Sequence, residues 1–168
     1  KYNVDLKDGK SFPFIRITNE PFPQVFLTRK IVKDGSRYFG PYTDVNHLRA
    51  VLKMIHHIYQ IRSCTFKLDK KTIEDKKVSL CLDYHIKKCG GPCEGLMAEK
   101  KYDKMIATVT SFLHGKTSDT ERSLLKEMNR SSDEQRFEDA ARIRDQLESV
   151  RRFKNRQRKV LVDFHDRD

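Results

Sequence analysis

The sequence predicts an α+β fold: a small antiparallel β-rich N-terminal part with a covering helix, a cysteine-rich junction, and an α-helical part ending in a two-helix hairpin. Three observations carry this reading. Runs rich in β-branched and aromatic residues are confined to positions 1–42, all four cysteines lie between Cys64 and Cys93, and apolar residues recur at helical spacing from Ala98 onward. A chain of 168 residues suits one ordinary domain or a few small modules. With 37% hydrophobic and 35% charged residues and no tryptophan, several modest cores are expected rather than one large one. The formal net charge of +11 points to a polyanionic partner, nucleic acid before others, although a solvated basic surface carries the same excess. No apolar run approaches the roughly 20 residues of a membrane span, and no secretory leader is present, so a cytoplasmic chain is expected.

In the β-rich part, Phe12 to Thr18 and Gln24 to Val32 read as strands separated by Asn19-Glu20-Pro21-Phe22-Pro23. Val25 and Leu27 share one face of the second strand, Phe26 and Thr28 the other. Lys33-Asp34-Gly35-Ser36 reads as a hairpin turn leading into a short returning strand, Arg37-Tyr38-Phe39. Lys7, Arg16, Arg29 and Arg37 stand among Phe and Tyr side chains, where cations neutralise phosphates and rings cover sugars or stack on bases. The same residues equally suit a small sheet with a ring-filled core and a wet cationic face.

Residues 43–62 form one amphipathic helix, N-capped by Thr43 or Asp44. Val45, Leu48, Val51, Leu52, Ile55, Ile58 and Tyr59 make its core stripe, while Arg49, Lys53 and His56 face away. His56 and His57 diverge by about 100° and cannot both face one ion, so both are read as surface histidines. The cysteines follow as C-x16-C-x7-C-x3-C, closing with Cys89-Gly90-Gly91-Pro92-Cys93. The charged stretch 67–77 reads as an exposed, mobile loop. Four thiolates gathered in one window fit zinc or an iron–sulfur cluster. The absence of C-x2-C knuckles favours the cluster, whose thiolates sit farther apart. Reduced cysteines without metal, some packed as small hydrophobes, are the remaining reading.

The helical half opens with a stripe of Tyr102, Met105, Ile106, Val109, Phe112 and Leu113, closed by Gly115 at C′. Ser118 to Glu121 reads as a capping box before a helix with apolar positions Leu124, Leu125 and Met128. After a polar turn at 131–136, a helix from Phe137 to Lys154 places Ala140, Ile143, Leu147 and Val150 on one face, toward its neighbour. Phe137, Ala141, Arg144 and Glu148 lie on an adjacent face that a two-helix hairpin leaves partly uncovered. Phe137 there either meets a partner or dimer mate, or plugs the hairpin end. A basic run from Arg151 and Arg152 precedes Val160-Leu161-Val162-Asp163-Phe164, which reads as the start of a strand. Opening without methionine and ending in that strand, the chain is expected to be a piece of a longer protein.

Three segments, in order, resemble the bacterial UvrC family, the incision subunits of the excinuclease of nucleotide excision repair. They are Tyr2-Asn3-Val4 with Phe14-Ile15-Arg16-Ile17 and Arg37-Tyr38-Phe39-Gly40-Pro41-Tyr42-Thr43, then Cys81 through His85 with Cys89-Gly90-Gly91-Pro92-Cys93, then Phe137-Glu138-Asp139-Ala140-Ala141-Arg142-Ile143-Arg144-Asp145-Gln146-Leu147. The last resembles the UVR motif, through which that family binds UvrB.

The resemblance implies that residues 1–62 hold the end of a GIY-YIG nuclease domain, a β-rich segment and a helix. It further implies a metal-binding region at 63–97, a connecting helix at 98–116, a UVR hairpin at 117–157 and a truncated downstream domain from 158. Asn3 matches a remnant of the nuclease site. The other catalytic groups fall outside this sequence, so incision is not expected of the chain by itself, although the parent is a DNA endonuclease. By the same resemblance Cys64, Cys81, Cys89 and Cys93 hold a cluster of the 4Fe-4S type. Zinc is the alternative, and a cluster lost on isolation would leave neither. Phe137, Ala140, Ala141, Arg144 and Asp145 bind UvrB. Lys7, Arg16, Arg29, Arg37, Arg151 and Arg152 are candidate contacts to damaged DNA, in a repair role that includes the SOS response. Self-association through the hairpin is a further expectation. A second functional class is a metal-binding UVR adaptor that regulates a protease or kinase; it is expected to carry paired C-x2-C knuckles and to lack the segment Tyr38-Phe39-Gly40-Pro41-Tyr42.

Overall fold

The computed structural model describes residues 12–165, with 156–165 described by backbone alone. The α+β reading holds: a three-stranded antiparallel sheet is followed by helices. Strand β1 (Phe14–Ile17) lies between β2 (Val25–Thr28) and β3 (Arg37–Phe39) and is antiparallel to both. It takes the centre because Ile15 and Ile17 point together into the core and are fully buried.

This strand order overturns the expected hairpin between β2 and β3. Both pair with β1 and therefore run parallel to each other, so the chain must cross back along the sheet between them. Lys33-Asp34-Gly35-Ser36 is instead a bend in that crossing loop. It is pinned by Arg16, which pairs with Asp34 and donates through Nε to Ser36 Oγ at 3.2 Å. The true hairpin is β1–β2, closed by the segment 18–24 that reads in sequence as a separator. There Thr18 N donates to Gln24 O at 3.1 Å and Gln24 N to Thr18 Oγ1 at 2.8 Å.

Helix α1 (Val45–Tyr59) covers the sheet with Leu48, Val51, Met54 and Ile55, and Asp44 caps it by accepting from His47 N at 2.9 Å. It stops three residues earlier than expected because Gln60 turns left-handed, with φ of 51°. Freed from the helix, Ile61 and Arg62 turn inward and are fully buried. His56 is not a surface residue: its Nε2 lies 2.8 Å from Val25 O and its Nδ1 3.3 Å from Ile61 O, joining α1 to β2.

The charged stretch 67–77 contains order that its composition hides. Leu68 is buried, Asp69 accepts from Thr72 N at 2.7 Å, and a short helix α2 (Lys70–Glu74) follows. Helix α3 (Leu82–His85) and a single 3-10 turn (Pro92–Glu94) lead into α4 (Glu99–Leu113), whose expected stripe is buried except for half-buried Met105.

Helix α5 (Ser118–Asp133) begins at Thr117, not at a Ser118 capping box. Thr117 Oγ1 donates to Glu121 at 2.8 Å, and that carboxylate is shared with Lys154 at 3.1 Å across the hairpin. Leu124 is buried, whereas Leu125 is 41% exposed. Helix α6 (Phe137–His165) packs Ile143, Leu147, Val150 and Phe153 inward. It continues through 160–164, where a strand was expected. With no glycine or proline from 137 to 165, local β preference does not break the helix. Phe153 stacks on Phe112 of α4, centroids 4.8 Å apart and planes at 10°, and docks the hairpin onto the body. Tyr59 and Thr120 add a 2.6 Å hydroxyl bond between α1 and α5.

One buried node joins these parts. Arg62 donates through Nε to Phe22 O at 2.6 Å and through Nη1 to Cys64 O at 3.0 Å and Phe66 O at 2.7 Å. Its Nη2 lies 2.9 Å from a Glu20 carboxylate oxygen without the alignment of a hydrogen bond. Its backbone N donates to the Tyr102 hydroxyl at 3.2 Å, which donates in turn to Pro23 O at 2.9 Å. Burial pushes the Tyr102 hydroxyl well above the usual tyrosine range.

A raised tyrosine pKa means that the native state keeps its proton where the unfolded chain has lost it. The stability is fully present below pH of about 10 and declines above it, by about 1.4 kcal/mol per pH unit for each such group. Replacing Tyr102→Phe should cost about 1–3 kcal/mol near neutrality, by orphaning Arg62 N and Pro23 O. It should also make the alkaline decline shallower. Urea unfolding from pH 7 to 11 measures both, and an unchanged alkaline slope would show that Tyr102 is not held in this way.

Candidate metal centre and partner-binding face

The glycine loop presents two of the four thiols. Asp83 O accepts from Lys88 N at 2.7 Å and Cys89 N at 3.1 Å, ending α3 in a tight turn. Gly90 N then donates to Gln60 O at 3.1 Å, anchoring the loop beside the end of α1. A Cβ on Gly90 would stand 2.0 Å from Met97 Cε, so no larger residue fits without displacing that side chain. Gly91 has φ of +69°, and a Cβ there would stand 2.9 Å from the Tyr84 ring. Cys89 and Cys93, on either side of this turn, are buried, while Cys64 is half-buried and Cys81 exposed.

The other two thiols are brought in by separate contacts. Glu94 Oε1 accepts from Leu80 N at 2.9 Å, holding the residue before Cys81 against the loop. Arg62 holds Cys64 by its carbonyl and places Nη1 3.8 Å from Cys64 Sγ. Burial pushes the Cys89 thiol up; Cys64, Cys81 and Cys93 add to the rise, and a hydrogen bond from the Gly91 backbone opposes it. Cys93 is also raised, by burial first and then by Cys64 and Cys81. Cys64 and Cys81 therefore lie near enough to act on both loop thiols, and Cys64 and Cys89 each receive an N–H donor of the kind that stabilises metal-bound thiolate. Among the described residues, no group of three or more His, Cys, Asp or Glu side chains is set to hold a metal ion. His85 is exposed and packs against Tyr84, ring centroids 5.6 Å apart.

On the hairpin, the two readings of Phe137 separate. Its side chain is 66% exposed and does not plug the hairpin end. Ala140 and Ala141 are half-buried beside it, and Arg144 and Asp145 are exposed and paired at 3.2 Å. The apolar stripe from Ile143 to Phe153 is already buried, so the face that carries Phe137 is left open.

The candidate DNA contacts divide. Arg16 is 17% exposed and sits between the Phe26 and Tyr38 rings, 5.6 and 5.8 Å from their centroids, already paired with Asp34. Arg29 and Arg37 are exposed. Arg151 lies 3.9 Å from Glu121, and Arg152 is 2.6 Å from Glu148. Asn3 and Lys7 lie outside the described residues.

Sequence reasoning missed Arg62, Glu94 and Phe153. Phe153 was within reach, since it continues the Ile143, Leu147, Val150 spacing into the basic run. Arg62 and Glu94 carry no local signal that distinguishes them from surface charges.

A family model described as UvrC/Cho excinuclease, middle domain, matches residues 12–112, and one described as UvrB/uvrC motif matches residues 122–153. UvrABC system protein C of Chlorobaculum tepidum is 47% identical and that of Chlorobium phaeobacteroides 49%, each aligned over 100% of this chain. That of Salinibacter ruber is 42% identical over the same span. The chain spans 27% of the length of the first two relatives and 26% of the third. No solved structure matches.

Proposed function

The chain belongs to the UvrC family, and from that premise we propose that it is the central region of an excinuclease incision subunit, one that binds UvrB and helps to hold damaged DNA. Its work is connection rather than cutting. The observation that carries the partner reading is the uncovered face of α6, where Phe137 stands exposed beside Ala140, Ala141, Arg144 and Asp145. A buried aromatic anchor flanked by a charged pair is a common hot-spot arrangement, the ring supplying area and the charges orientation. A second hairpin of the same kind fits the face for similar reasons, which is the route to self-association. Among the described residues no helix is long and apolar enough to cross a membrane.

For the cysteines we propose an iron–sulfur cluster held by Cys64, Cys81, Cys89 and Cys93. When bound, the cluster supplies a rigid cross-link among segments that are distant in sequence. The chain's own residues do the rest: Gly90 and Gly91 let the loop turn, Glu94 fixes the approach to Cys81, and Arg62 stands beside Cys64 as a countercharge. Four thiols are the right donor chemistry for such a cluster, and the Gly91 N–H and the Arg62 guanidinium offset thiolate charge at Cys89 and Cys64, although the four side chains are not arranged around a single ion.

Two measurements test these readings. Immobilised UvrB should capture the chain, and Phe137→Ala should reduce capture by about tenfold or more, consistent with loss of a hot-spot aromatic. Undiminished capture of the variant sinks the proposed face. Chain purified without oxygen should carry iron and acid-labile sulfide in equal amounts, both lost in Cys93→Ser. Zinc in their place reassigns the site, and neither metal in the anaerobic protein overturns it.

A further inference from the structure

The outer side of α1 carries two cations one turn apart, Arg49 and Lys53, with His57 a turn further on. Four residues advance a helix by about 6 Å, so these groups form a row along it. Like charges at this spacing work against the helix that carries them. Across from the row stands Lys88, on the segment that enters the cysteine loop. Together they line a groove of 360 Å³ along which half-buried Leu52 lies, over the buried Ile61. Its one carboxylate, Asp83, is engaged by the Ser63 hydroxyl. Arg49, Lys53 and Lys88 are exposed, and among the described residues none of them makes an ion pair.

The charges act on a common space. Burial, then Arg142 of α6, Lys88 and Lys53, push the His57 pKa down. Arg142 is itself held by Asp139, so the uncompensated charge belongs to Arg49, Lys53 and Lys88. Positive groups crowded around an apolar strip, at a cost to the helix beneath them, call for an anionic ligand with repeating charge and apolar surface between charges. A nucleic-acid strand has that character, with phosphates for the cations and sugars for the strip.

We propose that this groove seats a sugar–phosphate strand of DNA, with Arg49, Lys53 and Lys88 each neutralising a phosphate. The groove is lined by none of Arg16, Arg29 and Arg37, nor by Phe137 of the hairpin. It rests on the reading of the chain as part of a DNA-acting subunit, and it names where on this chain the DNA lies.

Fluorescence anisotropy with a short fluorescein-labelled DNA duplex, across a salt series, tests it. The variant Arg49→Gln/Lys53→Gln/Lys88→Gln is compared with a charge-matched control on the exposed side of α4, Lys100→Gln/Lys101→Gln/Lys104→Gln. Loss of three phosphate contacts should make the slope of log affinity against log salt shallower by about 2.7, at roughly 0.9 per contact, while the control keeps the parent slope. Circular dichroism should show both variants folded, and the melting temperature of the groove variant should not fall, since its helix loses like-charge repulsion. If the parent chain binds the duplex and the groove variant matches it, the groove assignment alone is overturned. Equal losses in both variants reduce the effect to net charge and overturn it as well. A parent chain that binds no duplex removes the DNA reading itself, and the groove with it.

Discussion

Arg62 is the constraint around which the molecule closes. A guanidinium with no exposure to solvent is tolerable only if nearly every donor finds an acceptor, because an unpaired buried charge is among the most destabilising defects a fold can hold. Its partners are supplied by pieces that share no local sequence: the Glu20 carboxylate as an ion-pair partner and the Phe22 carbonyl as an acceptor from the β1–β2 connection, and the Cys64 and Phe66 carbonyls from the segment that opens the cysteine region. Tyr102 of α4 closes the set through the Arg62 backbone. The early end of α1 at Gln60 is what turns Arg62 inward, so a single left-handed residue sets where three parts of the chain meet.

From that node the cysteine region and the hairpin are positioned by different sets of contacts. On one side Arg62 draws Cys64 toward the glycine loop, and Glu94 brings the Cys81 segment to the same place. A metal bound there would reinforce a junction whose outline the protein contacts already set. On the other side α4 carries Phe112, whose ring stacks on Phe153 and fixes the long hairpin helix. The hairpin is docked at this end and clamped by Glu121, while Phe137, at the start of α6, stays exposed. The cysteine region thus acts as a joint between a small sheet and a helical arm, and the joint is polar at its centre.

How much of this was legible depended on whether the signal was local. The stripes of α1 and α4 and the inward positions of α6 follow from helical spacing; the structure buries Leu48, Val51 and Ile55 of the first, all but Met105 of the second and all but Ala140 of the third, and leaves the rest half-buried. The open face at Phe137 also followed from spacing alone. Strand order did not, because the pairing of β3 with β1 is decided by how the loop at 29–36 crosses the sheet, and a local Asp-Gly signal says nothing about that path. His56 was misread because its partners, Val25 O and Ile61 O, are backbone atoms with no signature in sequence. Helix α2 hid in a lysine-rich stretch because one buried leucine, Leu68, and one cap, Asp69, are enough to order it. Arg62 was the largest omission: an arginine beside an isoleucine reads as surface until the fold surrounds it.

The most direct test of the joint is hydrogen exchange on Arg62→Met, which keeps an unbranched side chain of similar reach but removes the charge and every donor on it. If Arg62 fastens the parts together, protection should fall jointly in β1, in residues 60–66 and in the first turns of α4, while the α5–α6 pairing around Leu124 and Leu147 keeps its own. Loss confined to residues 60–66, with β1 and α4 protected as before, would contradict the account and reduce Arg62 to a local clamp.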